Sequence, residues 1–514
     1  MKITAPANFL WLLPQHSPAA SERSSPRAPA SSRTADFHTD PCEEIPLCID
    51  CDGTLIAGDL LIQTALTYVT RQPLGVFKIF RWLLRGRAFL KQKLASVSSI
   101  DVGLLPYRQE VLELIRAARA EGRAVFLVTA ADRQLARQVA DHLGCFAGVI
   151  ASDGEANLKG STKAGKLVER FGERGFDYVG DDRSDLEVWR RSREAVAVGP
   201  SAGTRDRLIA MSPEARILPR ARVGLTVWLK LLRIHQWTKN LLIFVPVVTA
   251  HQFTAPSVLL GSVLGFIAFG FAGSGSYILN DLADLENDRR HPSKKMRPIA
   301  SGEIEPLQAI TMAALLLGMA GLLCAFLPPA CALVLAVYLG ITFSYTLFFK
   351  KMMLVDVILL ATLYTVRILF GHATTGIAHS TWLLAFSIFI FFSLALAKRY
   401  TELIGTTGGV GGQLSGRGYR KGDEIPVGGL GAASGMVGVL VLVLYANSPE
   451  VQKLYERPIL LLLLCPLFLY WVGRIWMLAH RRELPHDPVV FALHDPNSYF
   501  VGLVAFALIA AASW

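Results

Sequence analysis

From about residue 238 onward, apolar residues run in stretches near the ~20 that a bilayer-crossing helix needs, separated by short polar connections. They predict about nine transmembrane helices, over 238–253, 256–279, 306–327, 329–349, 353–371, 380–397, 427–446, 457–478 and 497–513. The earlier part of the chain is patterned differently. Ile45 to Ile49, Ala124 to Val128 and Asp177 to Val179 are short apolar runs, each closing on polar residues. Such runs predict strands of an open α/β sheet over 45–200, with polar residues at the strand ends where these sheets place their sites. Residues 56–105, rich in Phe, Trp and Leu, predict a helical cap between the first two strands. Residues 1–44, rich in Ser, Pro, Ala and Arg, read as a disordered segment, and 201–224 as a linker. The expected organisation is multidomain: an N-terminal α/β, Rossmann-like domain with a helical cap, then an all-α polytopic membrane domain over 225–514.

Charge gives the membrane half a direction. Lys and Arg gather after the second span (Arg289, Arg290, Lys294, Lys295, Arg297), the fourth (Lys350, Lys351), the sixth (Lys398, Arg399, Arg417, Arg420, Lys421) and the eighth (Arg481, Arg482). The first, third and fifth connections carry none, and the seventh only Lys453 and Arg457. By the positive-inside rule the even connections and the N-terminal domain are expected in the cytoplasm, on a multi-pass protein of the inner (plasma) membrane. The net charge of +11 suits anionic head groups of membrane lipids and phosphorylated substrates, and no nucleic-acid motif is present. The seven cysteines suggest neither disulfides nor zinc; Cys324, Cys331 and Cys465 lie in apolar runs.

Candidate chemistry in the membrane half centres on Asn280-Asp281-x-x-Asp284-x-x-x-Asp288, directly after an apolar run. If the helix continues, Asp281, Asp284 and Asp288 share one face with Asn280 beside them. Carboxylates at a helix mouth repel one another, and a divalent cation with a phosphorylated ligand relieves that, since hard oxygen ligands suit Mg²⁺.

This motif resembles the first aspartate-rich motif of the UbiA superfamily of polyprenyl-group transferases. Arg233-x-x-Gln236-Trp237-x-Lys239-Asn240 before it and His291-Pro292-x-Lys294-x-x-Arg297-Pro298-Ile299-Ala300-x-Gly302 after it resemble the decaprenyl-phosphate phosphoribosyltransferase branch. The resemblance covers roughly 225–514. Where the usual member carries a second aspartate-rich motif, this chain has Lys398-Arg399-Tyr400-x-Glu402 and Arg417-Gly418-Tyr419-Arg420. Cations there suit a donor or acceptor with more free phosphate, because Arg grips phosphate bidentately. The resemblance implies Mg²⁺ on Asp284 and Asp288, aided by Asn280 and Asp281, and phosphate binding by Lys239, Lys294, Arg297, Lys398 and Arg399, with Glu402, Arg417 and Tyr419 nearby. Arg367 lies within a span, where a charge is a candidate site residue, and Asp356 is its expected partner. Lys350, Lys351, Arg481 and Arg482 read as head-group anchors. For Asp487 and Asp495 a site role and a helix cap both stay open.

In the α/β half, Asp50-Cys51-Asp52-Gly53-Thr54-Leu55, Thr129, Lys163 and Gly180-Asp181-Asp182-Arg183-Ser184-Asp185 resemble the four motifs of the haloacid dehalogenase (HAD) phosphohydrolases. The resemblance implies Asp50 as nucleophile, Asp52 as general acid and base, and Thr129 and Lys163 on the phosphoryl group, with Lys159 as the rival lysine. Mg²⁺ is then expected on Asp50, Asp181 and Asp185. The fusion implies transfer of a 5-phosphoribosyl group from phosphoribosyl pyrophosphate to a polyprenyl phosphate, followed by removal of the 5-phosphate. A prenyltransferase using a polyprenyl diphosphate and an aromatic acceptor would need a second carboxylate cluster. A non-catalytic polyprenyl-lipid carrier would predict turnover at neither half.

Overall fold

The computed structural model describes residues 45–152, 158–220, 223–252, 254–405, 417–484, 488–492 and 494–513. The expected disorder of 1–44 and the role of Asp487 lie outside them.

The α/β half is a six-stranded sheet in the order β3-β2-β1-β4-β5-β6, with β1 at Leu47–Ile49, β2 at Val125–Asp132, β3 at Gly148–Ser152, β4 at Asp177–Gly180, β5 at Ala195–Val198 and β6 at Arg216–Leu218. All its ladders are parallel. Side chains alternate between two cores as strand geometry requires. Leu47, Ile49, Val125, Leu127 and Val179 pack on one face against Val111, Ile115 and Val139, which lie on α4 (Gln109–Ala120) and α5 (Arg133–Leu143). Cys48, Phe126, Val128 and Tyr178 pack on the other against Ala164 and Leu167 of α6 (Ser161–Phe171). Cys48 and Cys51, although spaced C-x-x-C, are free thiols in different cores.

The sheet extends past the expected boundary at 200. The Ala202–Met211 helix and β6 occupy most of the segment read as a linker. β6 is a three-residue edge strand with no fully buried side chain, too short and too polar to stand out as a run.

Between β1 and β2 the expected cap is helical: α1 (Leu60–Arg71), α2 (Gly75–Leu83) and α3 (Arg87–Val97). Asp59 starts α1 by accepting from the Leu61 amide at 2.7 Å. Tyr68, Leu90 and Leu94 form the cap's own small core.

Eight helices among the described residues are long and apolar enough to cross a membrane: Pro256–Ala283, Pro306–Cys324, Pro329–Leu347, Val355–Thr375, Thr381–Gly405, Glu424–Ala446, Pro458–His480 and Pro496–Ser513. The chain is a multi-pass membrane protein. The first expected span is the exception. It is a 3₁₀ stretch, Ile234–Phe244, followed by the short helix Val245–Thr249. Pro246 has no N–H to give, and the side chain of Asn240 is engaged with Arg367 rather than facing hydrocarbon.

The halves pack against each other on the side of the aspartate motif. Arg289 donates to Gln63 of α1 at 2.9 Å, Arg290 to Asp101 at 3.2 Å, and Arg220 pairs with Glu305 at 2.6 Å. Gly302 sits at φ +82°, and a Cβ there would lie 2.8 Å from Pro106 and 3.1 Å from Ala57, so the His291-to-Gly302 segment touches the sheet domain at a position only glycine fits.

Candidate active sites

The first site forms where β1 and β4 end side by side. Asp50 follows β1, Asp181 follows β4, and Asp185 lies four residues further on. Ligand oxygens of the three fall within 4.8 Å of one another, a set that fits one divalent cation. The backbone enforces the grouping. Gly53 turns the chain at φ +76°, and a Cβ there would lie 2.1 Å from Asp181 Oδ2. The Thr54 hydroxyl donates to Asp181 Oδ1 at 3.0 Å, and the Asp181 and Asp182 amides donate to Asp185 Oδ2 at 3.2 and 3.1 Å.

Lys163, not Lys159, reaches the group. Its Nζ lies 3.0 Å from Asp50 Oδ2 and 3.4 Å from Asp185 Oδ1, whereas Lys159 is exposed and pairs with Asp182 at 3.5 Å. The Tyr178 hydroxyl, accepting from Lys163 at 2.8 Å and donating to Asp185 at 2.9 Å, completes the contact. Thr129 is fully buried within β2, at the point where its register with β3 shifts, and its hydroxyl accepts from the Ala131 amide at 3.0 Å. Asp52 Oδ1 accepts from the Leu60 amide at 2.8 Å.

Burial raises the Asp50, Asp52 and Asp181 carboxyls above the usual range, and neighbouring carboxylates add to it. Asp50 is raised to about 6, against the pull of Lys163. Asp52 is raised to about 7 by burial and by Asp59. Asp181 is raised to about 8 by burial and by Asp50 and Asp185. Burial alone would depress the Lys163 ammonium, yet Asp50 and Asp185 hold it above the lysine range.

The second site lies at the ends of the membrane helices. The Pro256–Ala283 helix does not run through the motif: it stops before Asp284 (φ −95°, ψ 9°) and restarts at Leu285. Asp281 and Asp288 share one arginine, while Asp284, at the break, turns to a lysine from another helix end. Asp281 pairs with Arg233 at 2.5 Å and Arg297 at 2.9 Å, Asp288 pairs with the same Arg297 at 2.6 Å, and Asp284 pairs with Lys350. Asn280 accepts from Thr346 at 3.1 Å. Lys350, read from sequence as a head-group anchor, is thus part of the aspartate group. Among the described residues, only the Asp50 group brings three carboxylates together as a metal site would. As held here, the membrane aspartates are neutralised by Arg and Lys. Lys294 is exposed beside them.

A second buried network stands where the later motif was expected. Arg399, with no exposed surface, donates to Asp356 Oδ2 at 2.7 Å and Glu402 at 2.6 Å. Its Nη2 is buried and has no partner among the described residues. Tyr419 donates to Asp356 Oδ1 at 2.7 Å, and Arg417 donates to the Tyr345 hydroxyl at 2.6 Å while lying 3.9 Å from Asp356. Lys398 is half-buried on the same helix.

Asp356 therefore serves Arg399 and not Arg367, its expected partner. Eleven residues apart on one helix, at ~1.5 Å rise each, Asp356 and Arg367 are ~16 Å distant. Arg367 is instead buried among the rings of Phe269, Tyr338 and Tyr364, and donates to Asn240 at 3.1 Å. Lys239, also buried, lies over Tyr364. Asp495 pairs twice with Arg474 and accepts from the Ser498 amide, which makes it a cap. Tyr345 and Thr346, neighbours at the end of the Pro329–Leu347 helix, touch one network each and so join the two.

Fold and sites together define a membrane-embedded transferase joined to a hydrolase. Residues 241–403 match the UbiA prenyltransferase family, and residues 47–190 match the haloacid dehalogenase-like hydrolases. The protein y4nM of Sinorhizobium fredii is 40% identical over 472 residues, covering 91% of each chain. Nodulation protein NoeC of Azorhizobium caulinodans is 31% identical over 279 residues, 54% of this chain and 90% of that protein. Decaprenyl-phosphate phosphoribosyltransferase of Mycobacterium tuberculosis is 34% identical over 179 residues, 34% of this chain and 59% of its own length. The chain carries a UbiA prenyltransferase family domain and, ahead of it, a HAD-like hydrolase domain.

Proposed function

We propose that the membrane half transfers a 5-phosphoribosyl group from phosphoribosyl pyrophosphate to a polyprenyl phosphate at the cytoplasmic face of the inner membrane, and that the HAD half then removes the 5-phosphate. The observation that carries this reading is the Asp356–Arg399–Arg417–Tyr419 network beside the aspartate motif. From 403 to 422 the chain has Arg417, Arg420 and Lys421 but no Asp or Glu, which supports binding of phosphate there rather than of a second metal cluster. The similarity to a decaprenyl-phosphate phosphoribosyltransferase supports the same choice.

In the transfer, a lipid phosphate oxygen bonds to the ribose anomeric carbon while the bond to pyrophosphate breaks. The lipid phosphate is already anionic and needs no strong base. Asp284 and Asp288, with Asn280 and Asp281, would hold Mg²⁺, which would offset the charge of the departing pyrophosphate. Arg297, Lys294, Lys239, Arg399 and Arg417 balance the remaining phosphate charge.

In the hydrolase, Asp50 attacks the 5-phosphate phosphorus, and the ribose oxygen leaves with a proton from Asp52. Asp52 then takes a proton from the water that releases phosphate and frees Asp50. A side chain raised to about 7 can hold that proton at neutral pH and give it up. Lys163 holds the nucleophile in place. Mg²⁺ held by Asp50, Asp181 and Asp185 would offset the charge brought together when phosphate approaches Asp50.

The test is incubation of purified protein with Mg²⁺, polyprenyl phosphate and labelled phosphoribosyl pyrophosphate. Label is expected in the lipid phase with the native chain and not with Asp284→Asn. The lipid product should lack the 5-phosphate with the native chain and keep it with Asp50→Asn. Absence of label, with turnover of a polyprenyl diphosphate and an aromatic acceptor, would overturn the proposal.

A further inference from the structure

The cap carries a surface that neither site uses. At ~100° per residue, the side chains of α2 sort into three faces. Ile79 and Trp82 point into the cap core, and Gly75 lies so close to Tyr68 that a Cβ would meet its ring at 2.5 Å. The next arc holds Leu83, Val76, Phe80, Leu84 and Phe77, with Leu74 just ahead of the helix. The least exposed of these is Leu83 at 45% and the most exposed Leu74 at 78%. The third face carries Lys78 and Arg81, with Arg85 in the turn just past the helix, all exposed.

We propose that α2 lies in the head-group region of the bilayer that holds the membrane helices, its apolar arc among the upper acyl chains and its basic stripe on anionic lipid phosphates. A contiguous exposed apolar face on a folded domain marks an interaction surface. Aromatic and aliphatic side chains bordered by a line of Lys and Arg are the layout of a helix lying in a membrane interface. The cap is already at that level. α1, which precedes α2 by three residues, packs Leu66 into the cluster of Trp228, Ile310 and Met312, and Gln63 receives Arg289 from beside the aspartate motif. These contacts hold α1 against the ends of the membrane helices, and α2 beside it is within reach of the lipid around them.

The test uses the full chain in lipid nanodiscs, with a bimane label at Phe77→Cys or Phe80→Cys. Wild-type protein labelled in parallel sets the background from the native cysteines, and Lys166→Cys on the exposed side of α6 is the aqueous control. Labels at 77 and 80 are expected to be quenched by nitroxide lipid and shielded from iodide. Shielding should increase when phosphatidylglycerol is added to phosphatidylcholine, and that increase should vanish with Arg81→Glu/Arg85→Glu. Labels quenched by iodide as fully as the control, in both lipid mixtures, would overturn the proposal. Shielding without lipid quenching, in particles carrying two chains, would assign the face to a second copy and overturn it equally.

Discussion

Gly53 offers the sharpest test of the hydrolase site, because one methyl group at this position acts on the carboxylate group without removing any of its members. Alanine there must adopt φ +76°, a left-handed conformation costing about 1–2 kcal/mol for a residue with a side chain. Its Cβ would also stand 2.1 Å from Asp181 Oδ2 and 2.7 Å from Cγ. The Asp181 carboxylate has to move, giving up the Thr54 hydroxyl at 3.0 Å and its place beside Asp50 and Asp185. Disturbing the support of a metal ligand lowers affinity or activity roughly 10–100-fold. Gly53→Ala is therefore expected to raise the Mg²⁺ concentration for half-maximal hydrolysis of para-nitrophenyl phosphate by about that factor, and to leave lipid labelling intact. Gly165→Ala is the control: its Cβ would meet nothing within 4 Å, and an exposed helical site should gain about 0.5–1 kcal/mol. Wild-type Mg²⁺ dependence in Gly53→Ala, with normal turnover, would refute the assignment of Asp50, Asp181 and Asp185 as the metal group.

Other consequences follow from the same geometry. Arg399→Met strands the fully buried Asp356, so it should destabilise the detergent-solubilised protein by about 3–5 kcal/mol, and Asp356→Leu added to it should restore much of the loss; equal thermal inactivation rates for single and double variants would contradict the pairing. The Asp181 carboxyl, raised to about 8 from an ordinary 3.8 by burial and its neighbours, favours the folded state while protonated. That contribution is full below about pH 4 and is lost as pH rises through about 8. Metal-free protein should therefore lose thermal stability over this range, and the gain in Tm on adding Mg²⁺ should be larger at pH 8 than at pH 5. Lys350→Ala leaves Asp284 without its ammonium and is expected to reduce lipid labelling while sparing phosphatase activity, whereas Lys351→Ala should change neither.

Much of this protein is legible along the chain because membrane spans and parallel strands are local patterns. Apolar length alone marks eight of the nine expected crossings, and the residues closing β1 and β4 announce the carboxylates that meet there. Asp50 and Asp181 are 131 residues apart, yet parallel pairing of their strands leaves them no other place. What the pattern could not supply is the choice of partner among like groups. Lys350 and Lys351 are equivalent as sequence, and only the end of the Pro329–Leu347 helix decides that Lys350 reaches Asp284. Asp356 pairs with Arg399, 43 residues on, because the two helices lie against each other, while Arg367 on its own helix is turns away. The broken aspartate helix and the 3₁₀ entry are tertiary outcomes as well, set by cations and buried side chains contributed from elsewhere. Sequence determines which groups can carry charge and phosphate chemistry. The packing of helices decides which opposite charges neutralise each other, because in a low-dielectric interior a charge is held by its nearest partner in space, whatever their separation in the chain.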